Sequence, residues 1–311
     1  MAVTTTTQVD PEVDKYFDRV LLDREEPYFI FMLFGQSRNL PTKNSKTATF
    51  RRYDNLSDAL SPLTEGVNPA FETITKFDVD AVVATYGNVV ALSDDVIIYV
   101  QDETSNEVAD MLSQNMFSTL DVITRDVLDA TSSQIDCTNG VNGNAVTELT
   151  QTDLDLAIDY LLGNNAKRMA PVIEGTNKFG TAPIDRAFWA MCHTDIRADV
   201  KALATFIATN EYPTQQAVLQ SELGSTEEVR WVMSTNGAFD TSSPAIYSNF
   251  LCGQNAYASI NVDEVAAEMI LKPLGAGEDA LNRRQTMGWK ARYAAVILDD
   301  GWIVNLRSTK A

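Results

Sequence analysis

The clearest pattern along the chain is alternation. "TATFRRY", Thr47 to Tyr53, sets Ala48 and Phe50 on one face and Thr49 and Arg51 on the other. That is the period of two of a strand with one covered face. "TKFDVDAVVATY" repeats it: Phe77, Val79, Ala81 and Val83 share a face, and Lys76, Asp78 and Asp80 take the other. Together the runs predict a hairpin. Its connection, built around "SPLTEGVNP", is roughly twenty residues long, beyond what a compact domain ordinarily needs. Gly66 supplies the reversal, and Pro62 and Pro69 stiffen its flanks. The tip reads as polar, with Glu65 at its centre. A two-stranded hairpin alone is marginal in water, so this arm requires another surface to lie on.

The period then changes. From Glu103 to Thr131, Val108, Met111, Leu112, Met116, Leu120, Ile123, Val127 and Leu128 keep helical spacing. At ~1.5 Å per residue this predicts a helix on the order of 40 Å long, a spine for the subunit. A second helix is expected over 151–168, with Leu154, Ala157, Ile158, Leu161 and Leu162 inward. A short helix is expected from Pro11, capped by Asp10, and "YFIFMLF", Tyr28 to Phe34, must be buried. "RAFWAMC", "EVRWVMS", "AYASI" and "EMILKPL" read as strands, and "HTDIRADVKALATFIA" as a helix capped by Thr194 or Asp195. "GWKARYAAVILDDGWIVNLR" reads as a closing hairpin turning at Asp299-Asp300-Gly301. Strands and helices mix without a βαβ rhythm, which predicts an α+β fold.

Charge changes the picture most. The 311-residue chain carries 43 acidic against 24 basic residues, a net charge of −19. Such a surface repels phosphate backbones and gives no general affinity for nucleic acid. Against that background the run from Arg38 through Lys43, Lys46, Arg51 and Arg52 is basic, with no acid until Asp54. The long helix is the opposite: Glu107, Asp110, Asp121, Asp126 and Asp129 face only Arg125. Two readings of the basic run stay open, a single-stranded nucleic acid track with Phe50 and Tyr53, or contact with an acidic protein surface. The chain supplies that acidic surface itself, so contact between identical copies follows, alongside the plain reading of solvated surface. A patch meeting a different patch on the next copy builds rings or extended assemblies.

Candidate chemistry is sparse. Cys137, Cys192 and Cys252 lie far apart, without metal-ligand spacing, and suit a reducing compartment. The chain's start has no signal-peptide pattern, and no run is apolar enough to span a membrane. The one histidine, His193, follows Cys192, but neighbours along a strand point to opposite faces. A cytoplasmic hydrolase using that pair is the weakest reading. "DVD" at 78–80 and "LDD" at 298–300 lack calcium-loop spacing, and "LGAGED" lacks a dinucleotide fingerprint. No cofactor, metal or catalytic residue is expected.

Several stretches, in order, resemble a known family. "TTTTQVDPEVDKYFDRVLLDRE" is similar to an N-terminal arm, and "FGQSRNLPTKNSKTATFRRYDNL" with "SPLTEGVNP" to an extended loop. "ATYGNVVALSDDV" leads into a helix ending "TLDVITRDVLDAT", similar to a spine helix. "FWAMCHTDIRADV", "EVRWVMSTN", "NAYASINVD" and "TMGWKARYAAVILDDGWIVNLR" resemble the strands of an axial domain and its closing hairpin. The chain thus resembles the major capsid proteins of tailed bacteriophages with the Hong Kong ninety-seven (Johnson) fold, nearest the N-four-type podophage family. The resemblance implies an N-terminal arm (1–35), an extended loop and its base (36–92), and a peripheral domain (93–184) with the spine helix. An axial domain (185–285) and a C-terminal hairpin (286–311) complete it. It implies an icosahedral virion shell of pentamers and hexamers, assembled in the host bacterial cytoplasm around double-stranded DNA that it does not read. Portal, scaffolding and decoration proteins are the implied partners. Arg38, Lys43, Lys46, Arg51, Arg52, Glu65 and Gly66 in the loop, and Glu107, Asp110, Asp121 and Asp126 on the helix, are the expected intersubunit contacts. An encapsulin-type nanocompartment shell shares the fold and is the alternative.

Overall fold

The computed structural model describes residues 26–311 apart from 44, 64, 67, 69–70, 100–103, 144, 176–182, 215–217, 264–266 and 276–280. The helix expected from Pro11 and most of the N-terminal arm lie outside the described residues. In chain order the elements are β1 (Gln36–Leu40), β2 (Thr47–Tyr53), β3 (Lys76–Val82), β4 (Ala84–Ser93), α1 (Asp94–Tyr99), α2 (Thr104–Asp129), β5 (Gln134–Asp136) and α3 (Gln151–Gly163). There follow β6 (Phe188–His193), α4 (Arg197–Ala202), β7 (Phe206–Ala208), β8 (Glu222–Thr226), β9 (Val229–Ser234), β10 (Phe239–Asp240), β11 (Ile246–Cys252), β12 (Tyr257–Val262), β13 (Ala267–Lys272), β14 (Arg284–Ile297) and β15 (Ile303–Thr309).

The strands form three groups. An eight-stranded sheet runs β5-β15-β11-β6-β9-β8-β7, with β10 on β11. A five-stranded sheet is built around β14, which pairs with β12, β13 and β4. The ribbon β2–β3 stands apart from both. Sheet membership does not follow the expected linear limits. β12 and β13 lie within 185–285 yet join β4 and β14, while β5, from the 93–184 segment, joins the eight-stranded sheet.

The expected closing hairpin does not form. β14 belongs to the five-stranded sheet and β15 to the eight-stranded one. β15 is buried on both faces along most of its length, so it needs neighbours on both edges, which a hairpin partner alone cannot supply. It finds them in β11, antiparallel, and β5, parallel. Asp299-Asp300-Gly301 is instead a short helical turn where the chain crosses between sheets, with Asp299 accepting from the Gly301 N–H at 3.0 Å.

Helix α2 lies along β14. Val108, Leu112, Met116 and Leu120 pack on Leu92, Met287, Trp289, Ala291 and Tyr293, so the predicted stripe is the contact. Met111, expected on that stripe, is exposed. Hydrogen bonds fix the register: Trp289 Nε1 donates to Asn115 Oδ1 at 3.0 Å, and the Thr124 and Tyr293 hydroxyls meet at 2.7 Å. α3 stops at Gly163 rather than near 168, because Asn165 turns left-handed (φ 56°) and its N–H bonds back to Leu162. Leu162, expected inward, is partly exposed on the helix's outer side. Of "YFIFMLF", Ile30, Phe31 and Phe34 are buried, whereas Leu33 and Tyr28 are exposed.

The eight-stranded sheet holds a buried ion pair. Arg230 and Glu222 are both fully inaccessible at the side chain and meet at 2.7 and 2.8 Å. Glu222 also accepts from Tyr212 Oη (2.9 Å) and the Leu219 N–H (3.1 Å), and Trp189 lies under the guanidinium at 4.5 Å.

Candidate functional site

The candidate site is the arm β2–β3 and the surfaces it can reach. The arm pairs from Thr47↔Val82 to Tyr53↔Lys76, in the register that the alternation predicts. Its root packs on the five-stranded sheet: Ala81 and Val83 contact Ile260 and Ala294, with Ala48 and Phe50 beside them. At the far end, Asp54 and Thr75 close the ribbon through a backbone bond of 3.1 Å and a side-chain bond of 2.8 Å.

The segment 54–75 beyond that clamp overturns the expectation of a polar tip. Leu56, Leu60, Leu63, Phe71 and Ile74 are all exposed, Leu60 at 88% and Phe71 at 96%. These side chains are spaced irregularly, so they form no run or period in the sequence. Gly66 does adopt the expected left-handed conformation (φ 78°), and no atom lies within 4 Å of where a Cβ would sit. The turn therefore requires glycine for its backbone and not for space. Glu65 beside it is exposed.

The basic residues divide into two sets. Arg51 bonds Asp78 across the ribbon at 2.7 and 3.2 Å, and Lys76 joins the same carboxylate at 3.2 Å. The Arg51 guanidinium holds the Asp78 carboxyl below its usual range. Arg52 pairs with Asp299 of the subunit body. Arg38, Lys43 and Lys46 are exposed and have no ion-pair partner among the described residues. Three charges of the expected set are thus available to a second molecule, and two are committed within their own chain.

The acidic set divides similarly. Asp110 and Asp126 are exposed on α2, Asp126 accepting from the Arg125 guanidinium at 2.6 and 2.9 Å, and Glu107 is half-buried in its first turn. Asp121 departs from the expectation: it is fully buried within its own chain and not exposed for an intersubunit contact. It accepts from the Phe31 N–H at 2.8 Å and from Asn236 Nδ2 at 3.3 Å, tying the segment before β1 and the β9–β10 loop to the spine helix. Helical spacing sets Asp121 on one face with Thr124 and Leu128, three and seven residues on, but it does not name the distant N–H that makes its burial tolerable. Alongside Asp126, a shallow depression of about 520 Å³ is lined by Ile123, Val127, Ala130, Val296 and Ile297, with Asp126 and Asp300 at its rim.

Burial pushes the Asp121 carboxyl up to about 6 from 3.8. The raised value means that the folded state prefers the protonated acid. Below pH 4 both folded and unfolded chains hold the proton, and the group is neutral for stability. Between pH 4 and 6 the unfolded chain releases it more readily, so stability falls, and above 6 the loss levels off at about 3 kcal/mol. Asp121→Asn is expected to remove that slope. Urea melts at pH 4 to 7 should show the variant gaining on the natural chain by about this amount as pH rises; a constant difference would refute it.

The Cys192–His193 pair does not form a site. The Cys192 thiol is buried, donates to Val232 O at 3.4 Å, and is pushed up by burial. His193 sits on the other side of β6 and caps the following turn, its Nδ1 accepting from the Asp195 N–H at 3.0 Å. That makes His193 the cap, in place of the expected Thr194 or Asp195. Its imidazole is lowered mainly by burial and stays neutral. A neutral thiol and a neutral imidazole on opposite faces give no activated nucleophile. The described residues contain no cluster of metal-ligating side chains, and no helix among them is long and apolar enough to cross a membrane.

A projecting two-stranded arm, a long spine helix on a sheet, and a second mixed sheet define the capsid-shell fold of the Hong Kong ninety-seven type. The structure aligns with the capsid of cyanophage P-SCSP1u at TM-score 0.66 and 14% identity, over 96% of this chain and 94% of that one. It aligns with the head of Helicobacter pylori bacteriophage KHP40 at TM-score 0.65 and 10% identity, over 100% and 98% of the two chains. The capsid of Ralstonia phage GP4 gives TM-score 0.66 at 9% identity, over 100% and 99%. No curated protein matches the sequence significantly. The phage capsid protein family matches residues 76–306, and the chain belongs to that family. It is a structural protein of the virion shell.

Proposed function

We propose that the chain is the major capsid protein of a tailed phage, forming the pentamers and hexamers of an icosahedral shell that encloses double-stranded DNA without reading its sequence. The sequence likeness supports the N-four-type podophage capsids as its nearest group. One observation carries the reading: the segment at the end of the arm exposes Leu56, Leu60, Leu63, Phe71 and Ile74, which its own subunit leaves uncovered. A monomer has no use for such a surface, and its exposure marks an interaction site.

In this reading the tip lies on the next copy, in the depression between α2 and the end of β14. The apolar lining of Ile123, Val127 and Val296 receives Leu60 and Phe71, with Asp126 and Asp300 at the edge of the contact. Fully burying each large apolar side chain contributes roughly 1.5–3 kcal/mol, and the charges fix register more than affinity. The contact is heterologous, so it propagates around a ring and closes a shell in place of a dimer. Assembly in the host bacterial cytoplasm with portal, scaffolding and decoration proteins belongs to the same proposal.

Electron microscopy of the purified chain tests it. Large closed shells, sheets or tubes are the expected result. Small uniform shells around a protein cargo would support a nanocompartment instead, and a stable monomer or dimer at high concentration would exclude both.

A further inference from the structure

The arm is fastened to its own body in an unusual way. Its root packs on the five-stranded sheet through Ala81 and Val83, with Phe50 against them, but the inner face is only half-buried further out. Phe50 and Val79 overlie a groove of about 560 Å³, whose far side is formed by Leu40 and Leu298. Beyond this groove the ribbon touches the body again at Arg52. The guanidinium pairs with Asp299 and lies between two rings, Phe77 of the arm at 5.5 Å and Trp302 of the body at 5.9 Å. Among the described residues it is the only ion pair between ribbon and body.

We propose that Arg52 is a detachable latch that sets the angle at which the arm leaves its subunit, and that its release lets the arm pivot over the unfilled groove. Arg52 is six residues from the root at Lys46, roughly 20 Å along an extended strand, so a swing of about 10° draws the guanidinium some 3 Å off its carboxylate. The latch is therefore a sensitive stop on the arm's angle. It is also weak enough to open, because the Arg52 side chain is half exposed and such pairs are screened by water and salt. Asp299 is held ready to receive it by the Gly301 N–H. Trp302 is fixed from behind, donating from Nε1 to Asn164 O at 3.1 Å. The body half of the latch is thus preformed, and the moving part is the arginine.

The consequence for assembly rests on the proposed contact of the arm with a second copy; the latch itself does not. The two are separated by measuring the arm in the isolated subunit. Cys137, Cys192 and Cys252 are buried, so spin labels attach selectively at Ser57→Cys on the tip segment and Asp159→Cys on α3, both exposed positions. Electron–electron resonance distances should give one narrow peak with Arg52 intact. Arg52→Ala and Asp299→Asn should each raise the population outside that peak about tenfold, given the combined strength of an exposed pair and two cation–π contacts. The exchanged pair Arg52→Asp with Asp299→Arg should recover much of the narrow peak. Unchanged distributions in both single variants would overturn the latch, and a folded baseline is checked by identical melting of the body. If distances broaden and shells still assemble normally, the latch stands and the intersubunit role of the arm fails.

Discussion

Replacing Glu222 by alanine is expected to destabilise the subunit by about 3–5 kcal/mol. Three groups lose their acceptor at once: the buried Arg230 guanidinium, the Tyr212 hydroxyl and the Leu219 N–H. The charge cannot follow by losing its proton, because arginine does not deprotonate in proteins. The pair itself is a different matter, since two desolvated ions roughly balance their own attraction. Exchanging both, Glu222→Leu with Arg230→Met, should therefore recover the share of the loss that belongs to the unpaired guanidinium, the Tyr212 hydroxyl and the Leu219 N–H keeping theirs. Denaturant melts of the two variants check this. Equal losses in single and double variants would mean that Arg230 matters for its packing on Trp189 rather than for its charge.

The second large effect concerns the tip. Leu60→Glu with Phe71→Glu should abolish assembly while leaving the subunit as stable as before. Exposed positions ordinarily change folding stability by no more than about 0.5 kcal/mol. In the shell, by contrast, two of the most exposed large apolar side chains among the described residues are expected to be buried on a neighbour. Losing about 4 kcal/mol per contact raises the concentration needed for assembly roughly a thousandfold. Light scattering of assembly reactions, paired with melts of the free subunit, separates the two quantities. Normal assembly of this variant at the natural concentration would remove the arm from the intersubunit account. The same comparison with Glu65→Ala should show a small effect, because Glu65 is solvated beside a turn that Gly66 already makes.

Much of this architecture was legible from periodicity. Ala48, Phe50, Val79 and Ala81 alternate because one face of the ribbon is covered, and the spacing from Val108 to Leu128 follows from a helix lying on a sheet. Three things were hidden, each for a physical reason. β14 and β15 look like one hairpin because both are apolar and a turn joins them, but pairing depends on which other strands need edges, and that is not local information. Asp121 looks like one more surface acid; its burial depends on Phe31, far away in sequence, offering an N–H. The tip's leucines and phenylalanine are spread among polar residues, so no window of the sequence is apolar although each of them is exposed in the folded loop. The charge pattern was half informative: Lys43 and Lys46 are exposed as a docking account needs, whereas Arg51 and Arg52 serve the arm itself and Asp126 pairs with Arg125.

The account's central claim is that the arm of one copy is completed by the surface of another. Cryo-electron microscopy of assembled shells at side-chain resolution tests it most directly. The account predicts density for Leu60 and Phe71 against α2 and the end of β14 of an adjacent copy, with Asp126 at the edge of the contact. Density showing the tip folded onto its own subunit, or projecting into solvent in the closed shell, would contradict it.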